Sequence, residues 1–180
     1  MAWSAPAAYT SSQVLTGAAM NLVRDDLRSL RNGNDHYCRV YISTNPSIAN
    51  NVAGGTAITW DTIDFQVGTL WSAGNPSRFV APVTGKYLIL ATLEWRSNTS
   101  NLRNIIFKTR NAAAVLQRQY DGQSQGSSGG RSNVCGKLIV QMTATDTVEV
   151  CAYQSSGGAL TLHGGGRPDR TRAAVLFLGT

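Results

Sequence analysis

The sequence predicts an all-β sandwich or barrel preceded by one helix, and three observations predict it. About ten short runs rich in Val, Ile, Tyr, Phe and Trp follow residue 37, separated by gaps of Gly, Pro, Asn and Ser. Charged residues make up 14% of the 180 and Gly reaches 18, a loop-rich, helix-poor balance. A helical period occurs once, between Thr16 and Arg31. The chain therefore divides into a leading segment, 1–34, and a β body, 35–180.

Residues 2–14 are small and polar around Trp3, Pro6 and Tyr9, with no core of their own, so the aromatic pair reads as docking onto another surface. From Thr16, a suitable N-cap, apolar residues recur at three- and four-residue spacing: Ala19, Leu22, Val23, Leu27 and Leu30. Arg28 and Arg31 oppose the dipole in the last turn, and Asn32-Gly33-Asn34 ends the helix. A helix of about 15 residues, ~22 Å long, is marginal alone. Its seam needs a partner: the β body, a sister helix in an oligomer, or a different protein.

Strands are expected at 37–43, 57–61, 63–67, 78–81, 86–96, 103–109, 114–120, 133–142, 147–154 and 171–178. The run 78–95 organises them. Pro82 to Gly85 punctuates it, because Pro lacks a ladder donor and Gly gives a turn its backbone freedom. Tyr87, Ile89, Ala91, Leu93 and Trp95 then share one face, while Leu88, Leu90, Thr92 and Glu94 share the other. The second face starts apolar and turns polar, which predicts a central strand whose outer face is partly covered, for instance by another subunit. The closing run repeats this, with Ala174, Leu176 and Leu178 opposite Ala173, Val175 and Phe177. An apolar face beyond one core marks an interface.

If successive strands run antiparallel, the connections sort by length. The long ones (44–56, 68–77, 97–102, 121–132 and 155–170) fall at one end. The short ones (Thr62, 82–85, 110–113 and 143–146) fall at the other. The helix then stands at the short-turn base, and the long loops form a distal crown.

The net charge of +6 would suit an anionic partner, but the Arg residues are scattered, without a basic run or a nucleic-acid motif. Nucleic acid is not an expected partner. Cys38, Cys135 and Cys151 lack CxxC spacing and read as buried thiols, with a Cys135–Cys151 disulfide as the alternative. No basic-then-apolar leader and no apolar run of ~18 residues occurs, so neither a signal peptide nor membrane insertion is expected. The sequon Asn98-Thr99-Ser100 is read as chance on that ground.

No catalytic or metal site and no cofactor is expected. His36 and His163 have no Cys or Asp at ligand spacing, and no GxSxG, HExxH or phosphate-loop motif occurs. Asp61 and Asp64 sit where turn chemistry favours Asp, which weighs against a carboxylate pair for glycan hydrolysis. The stretch from Gln123 to Arg131 is Gly/Ser-rich and reads as a flexible loop.

Two resemblances bear on function. Trp3, Pro6, Tyr9, Thr16, Asn21, Val23-Arg24-Asp25 and Leu27, in that order, resemble a module that opens many tailed-phage structural proteins; Gly17 and Asp26 depart from its common forms. The body resembles the C1q/TNF-like jelly roll, through Phe79-x-Ala-Pro-x-x-Gly85-x-Tyr87, Asp146-Thr-Val148-Glu-Val150 and the closing Ala173 to Gly179. That resemblance implies a homotrimer with both termini at the base and variable loops at the apex. Vertebrate members have collagen stalks; this chain has no Gly-x-y repeat, and the phage-like helix would take the stalk's place.

Together these give an expected function: a non-enzymatic virion structural protein of a tailed phage, made in the host cytoplasm and projecting as a trimer, a tail-tip or fibre-type adhesin. Trp3, Pro6, Tyr9, Leu22, Val23, Leu27 and Leu30 would anchor it to other virion proteins of tail or capsid, or pair helices in the trimer. Leu88, Leu90, Ala174, Leu176 and Leu178 would line the trimer contact of the head. Trp71, Arg78, Tyr120, Arg131, His163, Arg167 and Arg170 would face a host cell-surface glycan, aromatics stacking on sugars and Arg gripping acidic groups. On this reading, replacing Arg131 and Arg167 by Ala weakens binding without lowering the melting temperature. The alternatives are a capsid decoration or head-fibre protein without a specific ligand and, more remotely, a polysaccharide-degrading enzyme.

Overall fold

The computed structural model describes residues 36–127 and 130–180, with Ser100 and 117–127 by backbone alone. The expected helix, with Trp3, Pro6, Tyr9, Leu22, Val23, Leu27 and Leu30, lies outside the described residues. Twelve strands run through the described part. They are β1 (Tyr37–Tyr41), β2 (Ser47–Ile48), β3 (Thr56–Ala57), β4 (Thr62–Val67), β5 (Arg78–Val80) and β6 (Gly85–Trp95). The remainder are β7 (Asn98–Arg110), β8 (Leu116–Ser127), β9 (Ser132–Met142), β10 (Thr147–Gln154), β11 (Leu160–Thr161) and β12 (Arg172–Gly179).

The first sheet has the order β4-β1-β12-β6-β9. The second runs β3-β10-β7-β8, with β5 also paired to β10, and β2 with β11 forms a short ribbon. β6 is central, as its two-faced apolar pattern predicts: it pairs with β12 on one side and along its whole length with β9 on the other. Its odd-numbered face, Tyr87 to Trp95, is buried against Ile105, Phe107, Val148, Val150 and Ala152 of the second sheet. Burying such side chains supplies the main drive to fold, about 1.5–3 kcal/mol each. The turn before β6 is fixed by packing as well as by turn chemistry. A Cβ on Gly85 would overlap the Phe177 ring and stand 2.6 Å from the Gly179 carbonyl oxygen. Next to it, the buried Tyr87 hydroxyl donates to the Val83 carbonyl at 2.6 Å.

Two expectations need correction. The hairpin of 57–61 and 63–67 about Thr62 does not form. Thr56–Ala57 adds only two residues to β10, and Ile58 N donates to the Val150 carbonyl. The chain then crosses at Asp61 to the first sheet, where β4 starts beside Tyr41 and ends beside Tyr37. Losing one strand reverses β4, so the 68–77 connection starts at the base end and not at the crown. The long gaps 97–102 and 121–132 are also largely strand: β7 begins after the two-residue turn Arg96-Ser97, and β8 continues until Ser127 faces Asn98. Polar and Gly-rich residues obscured this continuation, because ladder bonds use backbone groups that every non-Pro residue carries. The later polarity holds. Trp95, Ser132, Gln154 and the 155–171 connection lie at one end of the sheets, and Gly85, Met142, Thr147 and Gly179 at the other.

Candidate functional site

The first candidate surface is the outer face of the first sheet. Register aligns its residues in rows across five strands. Nearest the base, Val67, Tyr37, Leu176, Leu88 and Ile139 stand side by side. The next row outward is Phe65, Arg39, Ala174, Leu90 and Lys137, and the one beyond is Thr62, Tyr41, Arg172, Thr92 and Cys135. Phe65, Val67, Leu90, Ile139, Leu176 and Leu178 are exposed on this face, Ile139 at 64%. Most large exposed apolar side chains among the described residues thus share one face. A bulge at Asp64 shifts the β1–β4 register, and its carboxylate pairs with Arg39, whose guanidinium carbon sits 5.2 Å from the Phe65 ring centroid.

The second surface is the distal tip. At the end of β6, Glu94 is 8% exposed. Its Oε1 accepts from Arg131 Nη1 at 2.7 Å, with Arg170 Nε at 4.0 Å. Its backbone is held too, since Glu94 N donates to the Thr171 hydroxyl and the Glu94 carbonyl accepts from His163 N at 2.7 Å. His163 faces this cluster; burial, then the Arg131 charge, hold its imidazole below the ordinary value. Gly164 lets the loop lie on the segment that follows β1: a Cβ there would overlap the Ile42 and Thr44 carbonyl oxygens. Arg167 and Asp169 form an exposed ion pair at 2.8 Å. Beneath, the fully buried Gln154 side chain donates to the carbonyls of Ile48 and Gly158 and accepts from Ser156, fastening the tip loops.

The structure therefore brings Arg131, His163, Arg167 and Arg170 to one place, with Glu94 among them. Glu94 was missed as a site residue because it sits in an apolar run; its parity with Leu88 and Leu90 was the available signal. The other three expected crown residues lie elsewhere. Trp71 is buried and donates its indole N–H to the Pro76 carbonyl at 3.1 Å. Arg78 is in β5, bonded to Glu149, which Arg110 also holds. Tyr120 is within β8 opposite Phe107, away from the tip. Of the expected head-contact residues, Leu90, Leu176 and Leu178 are exposed on the outer face, and Leu88 and Ala174 are half-buried on it.

All three thiols are free: Cys38 and Cys151 are buried as expected, but Cys135 is exposed, on the outer face of the first sheet. Asp61 is not part of an acid pair. It accepts from Ser43 and Thr62 hydroxyls and from Ser43 N, which hold its carboxyl below the ordinary value although burial, the largest single influence, acts to raise it. No group of three His, Cys, Asp or Glu converges as for a metal among the described residues.

Two sheets with this strand order, and a long central strand shared between core and outer face, make a TNF/C1q-like jelly roll. Solved structures agree. Murine APRIL at pH 8.5 superposes with a TM-score of 0.60 at 10% identity, over 79% of this chain and 98% of that one. The Eiger TNF of S. frugiperda gives 0.56 at 11%, over 79% and 92%. The globular domain of zebrafish complement 1qA gives 0.53 at 13%, over 78% and 94%. No protein-family model and no curated protein matches the sequence.

Proposed function

We propose that this chain is a non-enzymatic virion structural protein of a tailed phage. It would form a homotrimeric projection of the tail-tip or fibre-type adhesin kind, fixed to the particle through residues 2–31, with its distal tip towards the host surface. The observation that carries the reading is the apolar outer face of the first sheet. Leu90, Ile139, Leu176, Leu178 and Phe65 expose one contiguous patch on a sandwich that is otherwise well packed. A patch of that kind marks a protein contact. A second copy is the occupant that the TNF/C1q-like fold favours, and the order of Trp3, Pro6, Tyr9 and Val23-Arg24-Asp25 supports the virion setting.

A second reading, a capsid decoration or head-fibre protein, is favoured by one feature of the tip. Arg131 and Arg170 are turned to Glu94, and Arg167 to Asp169, so each of these three cations already has an acid beside it. Imaging labelled protein on intact particles separates the two. Label at the tail tip supports the adhesin, label over the capsid supports decoration, and absence from particles overturns both.

A further inference from the structure

The outer face of the first sheet carries a hollow at the level of Leu90 and Thr92. Leu90, Phe65 and Ala174 line it together with Arg39, Lys137 and Arg172. Its charges do not balance. Asp64 pairs with Arg39. Arg172 gives Nη1 to the Asp169 carbonyl at 2.6 Å, a contact that leaves its charge uncompensated. Lys137 has no carboxylate within ion-pair distance among the described residues, and the buried Arg39 Nε has no acceptor there. Glu94, the acid further along β6, is already taken by Arg131 and Arg170.

A second copy covering this face belongs to a chain of net charge +6, so on balance it adds more cations than carboxylates and leaves the excess in place. Covering unpaired cations is costly unless an anion accompanies them. We propose that the hollow binds a small tetrahedral oxyanion, phosphate or sulfate, held by Lys137 and Arg172 with Arg39 beside them, and that this anion makes the face compatible with burial between copies. Charge-assisted bonds to Arg and Lys are the strong kind, and an oxyanion offers several acceptor oxygens. The link to assembly rests on the proposed self-association; the binding itself does not.

The test uses the full chain, with inorganic phosphate as probe and chloride at matched ionic strength as control. Calorimetric titration should show saturable phosphate binding, and the melting temperature should rise in phosphate over chloride. Lys137→Gln should weaken binding by about tenfold or more, while Lys137→Arg keeps it. Sulfate should compete. No saturable heat, equal melting in both salts, or unchanged binding by Lys137→Gln would overturn the proposal. Light scattering in both salts tells the two readings apart: a monomer that still binds phosphate defeats only the assembly, and a trimer blind to phosphate defeats only the anion site.

Discussion

Arg131 Nη1 donates to Glu94 Oε1 at 2.7 Å, tying the residue that precedes β9 to the last turn of ladder on β6 at the distal tip. The bond makes Arg131 part of the structure. Its own side chain is half exposed, which screens the interaction, but the carboxylate it serves is nearly buried. Arg131→Ala should therefore cost about 1 kcal/mol and lower the melting temperature, with Arg170 alone left near Glu94. Thermal denaturation checks it. The sequence-based expectation that this substitution is neutral for stability is replaced by its opposite.

Arg167 is the residue with which to probe recognition. It and Asp169 are both well exposed, and pairs of that sort contribute little to stability. Arg167→Ala should leave the melting temperature unchanged and reduce retention of the protein on host cells or wall polysaccharide. Retention should fade with salt, as exposed charges screen over ~8 Å at physiological ionic strength. If the unaltered protein is not retained even at low salt, the tip has no such ligand and the decoration reading stands.

The outer face of the first sheet predicts assembly. Residues 35–180 alone should be trimeric at micromolar concentration by light scattering. Ile139→Glu together with Leu176→Glu, both at exposed positions outside the cation-lined hollow, should leave the circular dichroism of the fold intact and yield monomers. Two carboxylates forced into a covered apolar patch cost more than their exposure costs the free chain. A monomeric unaltered head would defeat the trimer.

The leading segment gives a separable prediction. Deleting residues 2–31 should leave a folded head that no longer enters particles, and Leu22→Asp with Leu27→Asp should do the same. Western blots of purified particles make the measurement. Normal incorporation of the truncated protein would place the anchor in the head.

The thiols predict an alkaline limit. Burial pushes Cys38 up to about 12 and Cys151 up to about 11, against an ordinary value of 9.0. Above pH 9 the unfolded chain releases these protons while the folded chain keeps them. Stability contributed by the neutral thiols is therefore complete below about pH 9 and lost as pH rises towards the folded values, by at most about 1.4 kcal/mol per unit for each group. Cys38→Ala should flatten that slope in chemical denaturation between pH 8.5 and 11. At pH 8, Ellman's reagent should find Cys135 alone reactive in the folded monomeric variant, and all three thiols in denaturant.

Much of the fold was legible in local pattern. The alternation from Tyr87 to Trp95 places β6 at the centre, and Pro82-Val-Thr-Gly85 places its turn, because side chains of period two and backbone-restricted residues act over a few positions. The runs at 133–142, 147–154 and 171–178 became β9, β10 and β12 almost unchanged. Where apolar alternation stops, the reading stopped: Asp121 to Gln125 look like loop by composition and are strand by ladder, and the ladder resumes at Asn98 and Ser127 beyond a register shift.

The sequence by itself determined the all-β body, the central strand with two apolar faces and the end of the molecule at which the later loops gather, since each follows from residue type and spacing along the chain. Only the tertiary structure decided that Thr56–Ala57 stops short and lets β4 cross to β1, which removes Trp71 and Arg78 from the tip. It alone brought Glu94 to Arg131, 37 positions away, and set Arg39, Lys137 and Arg172 around one hollow. Those relations depend on which strands become neighbours, and strand order is a property of the whole packed core, where burial of both sheets is satisfied at once.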